Sequence, residues 1–481
     1  MANTVRPERC SATLETPMTT PQAAPAAAPP DPRRWRVLVV VMLADVLDLL
    51  DSTVMNVAAP SVRAGLGGGP AALQWLTAGY ALAFGVLLVV GGRLGDRWGR
   101  RRLFVVGAVG FTLASAVCAL APTPAVLISA RVAQGALGAL MIPQGFGVLA
   151  SVFDERERGR AFAVFGPVMG LAAIGGPILA GGLIALDLAG LDWRLVFLVN
   201  VPLGALTVAG ALRWMPADPG DATVRIDPVG AVLVAAGSAL LVYPLIQGRE
   251  AGWPWWAFAS PAAGVAAFLA LGGRQRTSPA PILVPSLLRK RAFVGGLVVA
   301  VAFFSGVGGL LLVLSLHLQL DLGYSALQAA LALAPVAVGI ALSSVVAPGL
   351  AARLGRSVLH LGLGVEALGT LGLALVATSD LPVWTLLTPS LVVGLGLGLL
   401  FGTLTQTIFT AADPAEVGSA SGALNAVQQL ASALGVAVLG TAFFATAPSG
   451  LAVGALVVTA TCLLSAALVT LLPRTPSGEP S

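Results

Sequence analysis

Residues 92–102 read Gly92-Arg-Leu-Gly-Asp96-Arg97-Trp-Gly99-Arg100-Arg101-Arg102, a charged stretch between two long apolar segments. Its glycines permit a tight turn, and its arginines favour one face of a lipid bilayer. The embedded Asp96 can sit against a helix N-terminus or an arginine. Arginines that only set membrane orientation would need neither this acid nor the spaced glycines. We therefore predict a loop that joins two membrane helices and acts as a latch between parts of the protein.

Apolar segments recur on both sides of this stretch. The 481 residues are 57% hydrophobic and 10% charged, with a mean hydropathy of +0.90, whereas a soluble domain is about 25% charged. This composition excludes a soluble enzyme. Each segment is long enough to cross ~30 Å of hydrocarbon as a helix. The fourteen predicted spans lie near 35–60, 73–92, 103–121, 124–150, 160–184, 194–214, 228–248, 254–273, 292–318, 327–350, 358–378, 383–410, 418–444 and 450–472.

The distribution of the basic residues predicts which ends of these spans face the cytoplasm. If the N-terminus is cytoplasmic, 23 of the 27 lysines and arginines lie on the cytoplasmic side. Arg63, Arg194 and Arg249 lie outside, and Arg131 lies within the membrane. Cytoplasmic loops are enriched in basic residues, so the sequence predicts an even number of spans with both termini cytoplasmic.

A faint repeat predicts two halves. Arg97-Trp-Gly99-Arg100 follows the second span and Arg353-Leu-Gly355-Arg356 follows the tenth. Repeated halves with a binding site at their interface are typical of transporters. The predicted parts are a disordered tail (1–34), an N-terminal six-helix half (35–214), two inserted helices (215–274), a cytoplasmic loop (275–291), a C-terminal six-helix half (292–472) and a second tail (473–481).

Five of the 49 charged residues lie deep in predicted spans: Asp45, Asp48, Asp51, Arg131 and Glu366. A charge at mid-bilayer costs ~2.5–3.5 kcal/mol on insertion scales, so such residues usually serve function. The three aspartates recur every third residue and spread over an arc of about 120°, so all can face one cavity. We predict that at least one handles protons or cations; a structural pair or a capped kink is the alternative.

Different roles are predicted for Arg131 and Glu366, the other two charged residues inside the predicted spans. Arg131, as the single intramembrane cation of the predicted spans, is expected to pair with an aspartate of the first helix. Glu366 is expected to recognise substrate or couple transport, or else to hydrogen-bond a neighbouring helix. His317 and His360 lie near helix ends, where solvated histidines are expected.

Other sites are excluded by what the sequence lacks. The three cysteines, Cys10, Cys118 and Cys462, stand apart, so neither a disulfide framework nor a metal site is predicted. Lys290 is followed by Arg291, so no phosphate-binding loop of an ATP motor exists. The basic clusters form no continuous stripe for nucleic acid. The near-complete use of arginine instead of lysine indicates a GC-rich genome.

These motifs resemble the major facilitator superfamily, specifically its fourteen-span drug:proton antiporter branch (EmrB/QacA type), over about residues 35–475. The resemblance implies a conformational-switch loop at Gly92, Asp96, Arg97, Gly99 and Arg100. The counterpart loop has Ala352 in place of the acid, so any latch there is expected to be weaker.

Three helices carry further signatures of this branch. Residues 50–60 resemble its first-helix signature, which implies a functional role for Asp51, with Asn56 as a cavity residue. Arg131-x-x-Gln134-Gly135 resembles a fourth-helix motif implicated in proton transfer. The residues resembling the antiporter motif of the fifth helix are Gly166, Pro167, Gly170, Gly176, Pro177 and Gly181, although Ala172 and Ala180 depart from the pattern. Close helix packing without antiport is the alternative reading of these glycines.

Polar residues of the thirteenth predicted span have two alternative roles. Asn425 and Gln428, together with Gln429, share a face of the thirteenth predicted span. They are cavity hydrogen-bonding residues or contacts between helices. Residues 193–202 and 318–325 also resemble signatures of the branch.

The resemblance implies an all-α membrane protein with the major facilitator fold, fourteen helices and no enzymatic activity. The expected function is proton-coupled efflux of small organic molecules such as drugs or antibiotics across the cytoplasmic membrane. The alternative is proton-coupled uptake or export of one specific metabolite. We expect no cofactor and no metal, a proton gradient as the driving force, and a monomer whose partners are substrate, protons and lipid.

Overall fold

The chain folds into fifteen α-helices in a computed structural model that describes residues 32–470 except 154, 379–381, 411, 414 and 415. Most α5 side chains before Gly175 are also outside the described part, as are the two predicted tails apart from residues 32–34. The helices are α1 (Arg34–Leu66), α2 (Pro70–Trp98), α3 (Arg100–Ala119), α4 (Pro124–Val152), α5 (Glu155–Leu186), α6 (Leu195–Leu198), α7 (Asn200–Trp214), α8 (Pro228–Gln247), α9 (Trp255–Thr277), α10 (Arg291–Leu316), α11 (Ala326–Leu354), α12 (Ser357–Ala377), α13 (Leu387–Thr410), α14 (Val417–Ala445) and α15 (Gly450–Val469).

The fourteen predicted apolar runs each coincide with a helix to within six residues, the sixth being α6 and α7 together. Twelve helical segments are long and apolar enough to cross a membrane. α1, which carries three aspartates, and α5, whose apolar segment is counted only from Gly175, fall outside that set. The structure therefore supports twelve candidate spans, and the count of fourteen stays a prediction.

The charged stretch is helical rather than a loop, so that part of the prediction is wrong. α2 continues through Trp98 and α3 begins at Arg100, leaving Gly99 as the break between them. Gly99 has φ of 93°, a conformation that favours glycine. A Cβ there would also lie 2.2 Å from the Asp218 carbonyl oxygen. One glycine is thus enough to reverse the chain.

The helices pack as two groups of six. α1, α2, α3, α4, α5 and α7 contact one another, and so do α10 to α15. The main contacts between the groups join α2 with α14 and α5 with α11. The inserted pair α8 and α9 forms a hairpin, in which α8 packs on both α2 and α14. The boundaries given above for the two halves and the inserted pair stay predictions.

Large apolar side chains cover much of the exterior, as expected of a surface that contacts lipid. Val345 in α11, Leu269 in α9 and Leu171 in α5 are examples of such exposed residues. The bundle has two ends, and we call the one with Arg93–Arg102 the basic end. At the opposite end the halves meet closely: Gln319 Nε2 donates to the Val57 carbonyl oxygen at 3.0 Å.

Candidate functional site

Asp51, in the middle of α1, accepts three hydrogen bonds from two other helices. Arg131 Nη1 pairs with Asp51 Oδ2, while Gln134 Nε2 (2.9 Å) and Asn200 Nδ2 (2.7 Å) both donate to Oδ1. Asp51 is only 2% exposed. The predicted pairing of Arg131 with an aspartate of the first helix is therefore confirmed. An ion pair this deeply buried requires such extra donors, because desolvation otherwise outweighs the attraction.

Helix geometry explains why these side chains converge. Arg131 and Gln134 are three residues apart on α4 and share one face. Arg131 Nη1 also donates to Gln134 Oε1 at 2.8 Å, which orients the amide so that its nitrogen points at Asp51. Asn200, the first residue of α7, donates as well to Ser115 Oγ of α3 at 3.1 Å. Three helices, α1, α4 and α7, are thereby joined at one carboxylate, and Asn200 connects them to α3.

Tyr80 of α2 connects this network to Asp48. Its hydroxyl donates to Asp48 Oδ1, and the Arg131 guanidinium lies 4.3 Å from the centre of its ring. Sequence reasoning missed Tyr80, Ser115 and Asn200 as members of the site. Asn200 had a signal, because it lies in residues 193–202, which resemble a signature of the branch, whereas Tyr80 and Ser115 belong to no motif.

A cavity of about 1070 Å³ lies between α2, α4, α9 and α14 and extends to the basic end. Asp45, Asp48 and Phe84 form its deep part, and Arg93 and Asp96 lie at the basic end. Asn425 and Gln429 contribute polar groups from α14. The cavity therefore combines acids, amides and aromatic rings, a set that suits an organic molecule with both apolar and polar parts.

The structure separates residues that the sequence placed together. Asp45 and Asp48 line the cavity, but Asp51 does not, because its carboxylate is enclosed by the Arg131 network. The expectation that all three aspartates face one cavity is thus wrong for Asp51. Asp45 Oδ2 is buried and has no hydrogen-bond partner among the described residues.

Three predicted polar cavity residues also lie elsewhere. Gln134 belongs to the Asp51 network, and Asn56 has a buried Oδ1 with no partner in the described part of the chain. Gln429 of α14, rather than Gln428, lines the cavity. Consecutive side chains of a helix point in directions 100° apart. The sequence pattern does not determine which of these two glutamines faces the cavity.

Glu366 lies in α12 and is 1% exposed. It packs against Gly396 of α13, where an added Cβ would be 2.5 Å from the Glu366 nitrogen. Its Oε2 has no hydrogen-bond partner within the described ranges, and it does not line the cavity. A hydrogen bond between the Glu366 and Cys462 side chains joins α12 to α15. This contact favours the interhelical alternative over direct substrate contact for Glu366.

The charged stretch contacts α4, the segment before α8 and, through Arg93, the loop before α10. Asp96 Oδ1 accepts from Arg100 Nη2 at 2.8 Å and Nε at 3.1 Å, and Arg100 Nη1 donates to the Gly147 carbonyl oxygen of α4. Arg97 Nη1 donates to the Val224 carbonyl oxygen. Asp96 therefore pairs with an arginine as predicted, but its described contacts do not reach the C-terminal half, so the predicted latch does not join the halves here. Gly92 lies on the cavity wall.

The fifth-helix motif is only partly described. Gly166, Pro167 and Gly170 lie in α5, but their surroundings are outside the described residues. Gly176 faces α1, since an added Cβ would lie 2.5 Å from Thr53 Oγ1, and Pro177 follows it within the same helix. Gly181 faces α11, with Leu327 Cα 2.6 Å from the position of its Cβ. The small residues thus bring α5 close to a helix of each half.

A loop at the basic end links α9 to the C-terminal half. Lys290 Nζ contacts Glu416 Oε2 and Asp413 Oδ2, each at 2.8 Å, and Ser286 also donates to Glu416. The Lys290 ammonium and Ser286 hydroxyl hold the pKa of Glu416 at about 2, below its usual value near 4.5. Arg93 of α2 donates to the Pro281 carbonyl oxygen of this loop. The loop is therefore attached to both halves.

No cluster of three or more metal-ligating side chains occurs among the residues that the structure describes. The polar groups of the site instead satisfy one another or face the cavity. This arrangement suits reversible binding of protons and of an organic solute.

The chain is similar to proteins of known class over most of its length. It is 48% identical to a probable actinorhodin transporter of Streptomyces coelicolor, covering 90% of this chain and 76% of that protein. It is 37% identical to a puromycin resistance protein of Streptomyces alboniger, with 86% and 82% covered. The actinobacterial source of both agrees with the predicted GC-rich genome.

The xylose transporter of E. coli, in a partially occluded inward-open conformation, has the same fold. The TM-score is 0.66 at 15% identity, and the match covers 93% of this chain and all of that one. The family model for the Major Facilitator Superfamily matches residues 41–436. The chain is therefore a multi-pass membrane transporter that belongs to the Major Facilitator Superfamily.

Proposed function

We propose that this protein exports antibiotic-like organic molecules across the cytoplasmic membrane in exchange for protons. The observation that carries the proposal is the buried Asp51–Arg131 pair beside a cavity whose deep part is formed by Asp45 and Asp48. Both relatives are named for antibiotics, and resistance to puromycin favours removal from the cell over uptake.

In this proposal the basic end is cytoplasmic, because basic residues concentrate in cytoplasmic loops. α1 and α5 span the membrane with the twelve candidate segments, so that fourteen spans place both termini in the cytoplasm. The cavity then opens inward, and the contacts at the opposite end close the outer side. A monomer contains the whole pathway.

The proton step follows from the arrangement of the acids. A proton that reaches Asp48 or Asp51 removes a negative charge and weakens the attraction to Arg131. Because Asp51 joins α1 to α4 and α7, this change loosens the contacts within the N-terminal half and favours the outward-facing arrangement. Substrate in the cavity contacts Asp48, which lines it, so substrate and proton compete there, as exchange requires.

The test uses inverted membrane vesicles with a preformed proton gradient and puromycin or actinorhodin as the probe. Addition of a transported probe should dissipate the gradient, because efflux into the vesicle carries protons out. Asp51→Asn should abolish this response at normal protein level, whereas the control Asp187→Asn, at an exposed turn, should leave it intact. An unchanged response in Asp51→Asn would falsify the coupling role of that residue.

A further inference from the structure

The inserted hairpin lies over the seam between the two halves. α8 packs against α2 and α14, which meet along one side of the bundle. α9 packs against α8 and has only three buried residues, Ala257, Gly264 and Gln275. Exposed apolar residues such as Phe258, Val265 and Leu269 leave one face of α9 free for lipid, yet one of its three buried residues is a polar glutamine.

One face of α9 reaches the cavity. Phe268, Leu271 and Gln275 all line it, and their spacing of three and four residues places them along a single side of the helix. The neighbouring Leu269 points away and is 73% exposed. The cavity is therefore bounded by the inserted hairpin as well as by the two halves.

Gln275 offers a hydrogen-bond donor with no partner. Its side chain is 2% exposed, and its Oε1 accepts from the Leu283 nitrogen at 3.1 Å. Its Nε2 is buried and has no hydrogen-bond partner in the described part of the chain. Because Oε1 is held by Leu283, the amide nitrogen is the group left for an acceptor from outside the protein.

The end of α9 that carries this amide is held firmly in place. The Arg274 guanidinium binds Asp227 at the start of α8 through Nε at 2.9 and 3.0 Å and through Nη2 at 2.8 Å. The Gln275 amide is thus attached on both sides, by this ion pair and by Leu283. A fixed donor of this kind discriminates among ligands better than a mobile one, since less entropy is lost on binding.

We propose that this face of α9 is a specificity-determining part of the substrate site. Phe268 and Leu271 contact the apolar ring system of the substrate, and Gln275 Nε2 donates to a carbonyl, phenol or carboxylate oxygen. A buried donor without a partner disfavours the empty site and rejects ligands that lack an acceptor. This inference rests on the proposed function and defines the substrate class as apolar ring compounds that carry an oxygen acceptor.

The test measures KM and kcat for drug-driven proton flux in inverted vesicles, with puromycin or actinorhodin as the probe. Gln275→Glu keeps the side-chain length and an oxygen for Leu283 but lacks the amide donor, whereas Gln275→Met removes both groups. Loss of one neutral hydrogen bond should raise KM about 2- to 13-fold with kcat little changed. Phe268→Ala should raise KM as well, and the matched change Leu269→Ala should not.

The outcomes separate the two proposals. If the wild type transports a probe and the Gln275 variants and Phe268→Ala all keep its KM, the role of α9 is overturned while the proposed function stands. If the wild type shows no drug-driven proton flux, the proposed function fails, and this inference fails with it. A KM that rises equally in Leu269→Ala indicates general distortion of the hairpin and also contradicts the proposal.

Discussion

Arg131 and Asp51 form a buried ion pair in which each charge compensates the other. Loss of one of the two charges therefore destabilises the fold. The pair is enclosed by Gln134, Asn200 and the Tyr80 ring, away from the cavity. Removal of the cation leaves a buried carboxylate without compensation, which typically costs about 3–5 kcal/mol. Removal of both charges relieves this penalty. In the proposed transport cycle this pair responds to a proton, and its net contribution to stability is small.

We predict that Arg131→Met lowers the thermal midpoint of the purified protein clearly, and that Asp51→Asn added to it recovers at least half of the loss. The reason is that the second change removes the uncompensated charge. Thermal unfolding in detergent measures both midpoints, with the exposed Arg102→Met as control. A double variant no more stable than Arg131→Met alone would show that the charge itself is not the cause.

At the scale of the helices, α5 and α11 meet closely at the end opposite the basic one. Gly181 permits this, because a Cβ there would lie 2.6 Å from Leu327 Cα and 2.9 Å from the Ala326 carbonyl oxygen. The next residue, Gly182, has no atom of the described residues within 4 Å of its Cβ position. A side chain therefore fits at Gly182 but not at Gly181.

We predict that Gly181→Val keeps this end open, whereas Gly182→Val does not. Overpacking costs about 1–3 kcal/mol, which shifts a two-state equilibrium about 5- to 150-fold. Spin labels at Leu186 and Leu322 should move apart in Gly181→Val, and drug efflux should fall. Equal label distances in the two variants would mean that this contact does not control closure.

An ion pair between Lys290 and Glu416 holds the loop before α10, and this pair stays intact near neutral pH. The pKa of Glu416 is about 2, so its contribution to stability is complete above its usual pKa near 4.5. The contribution is lost as the pH falls from there toward 2. The proton-driven transport proposed near neutral pH would therefore leave this loop attached.

We predict that Glu416→Gln lowers the thermal midpoint at pH 7 and that its difference from the wild type shrinks below about pH 4. Melting curves of the two proteins across this pH range test the sign. A difference that grows as the pH falls would contradict the assignment of Lys290 and Ser286 as the cause.

For the whole molecule, the sequence predicts the helices well and the cavity poorly. Span positions follow from apolar length, and the pairing of Arg131 follows from its being a cation among acids in the spans. The enclosure of Asp51, the position of Gln429 and the role of Tyr80 depend on how helices rotate against one another. A hydropathy pattern does not contain that rotation, because it is set by contacts between residues distant in the chain.

The charged stretch is a second feature that the sequence pattern predicts incorrectly. Gly92–Trp98 looks like a loop by charge, yet it extends α2 past its apolar part. Helical hydrogen bonding does not stop where the apolar residues stop, so only Gly99 breaks the chain. The described contacts of Asp96 do not reach the C-terminal half, which agrees with a cavity that is open at the basic end in this conformation.

Purified protein in proteoliposomes gives the most direct test of proton-coupled export. With the proton concentration higher on the side to which the drug is moved, an imposed pH gradient should drive accumulation of puromycin or actinorhodin above its equilibrium level. A protonophore should abolish this accumulation, and Asp51→Asn should show none. Accumulation of the same size without a pH gradient, or with the protonophore present, would contradict the account.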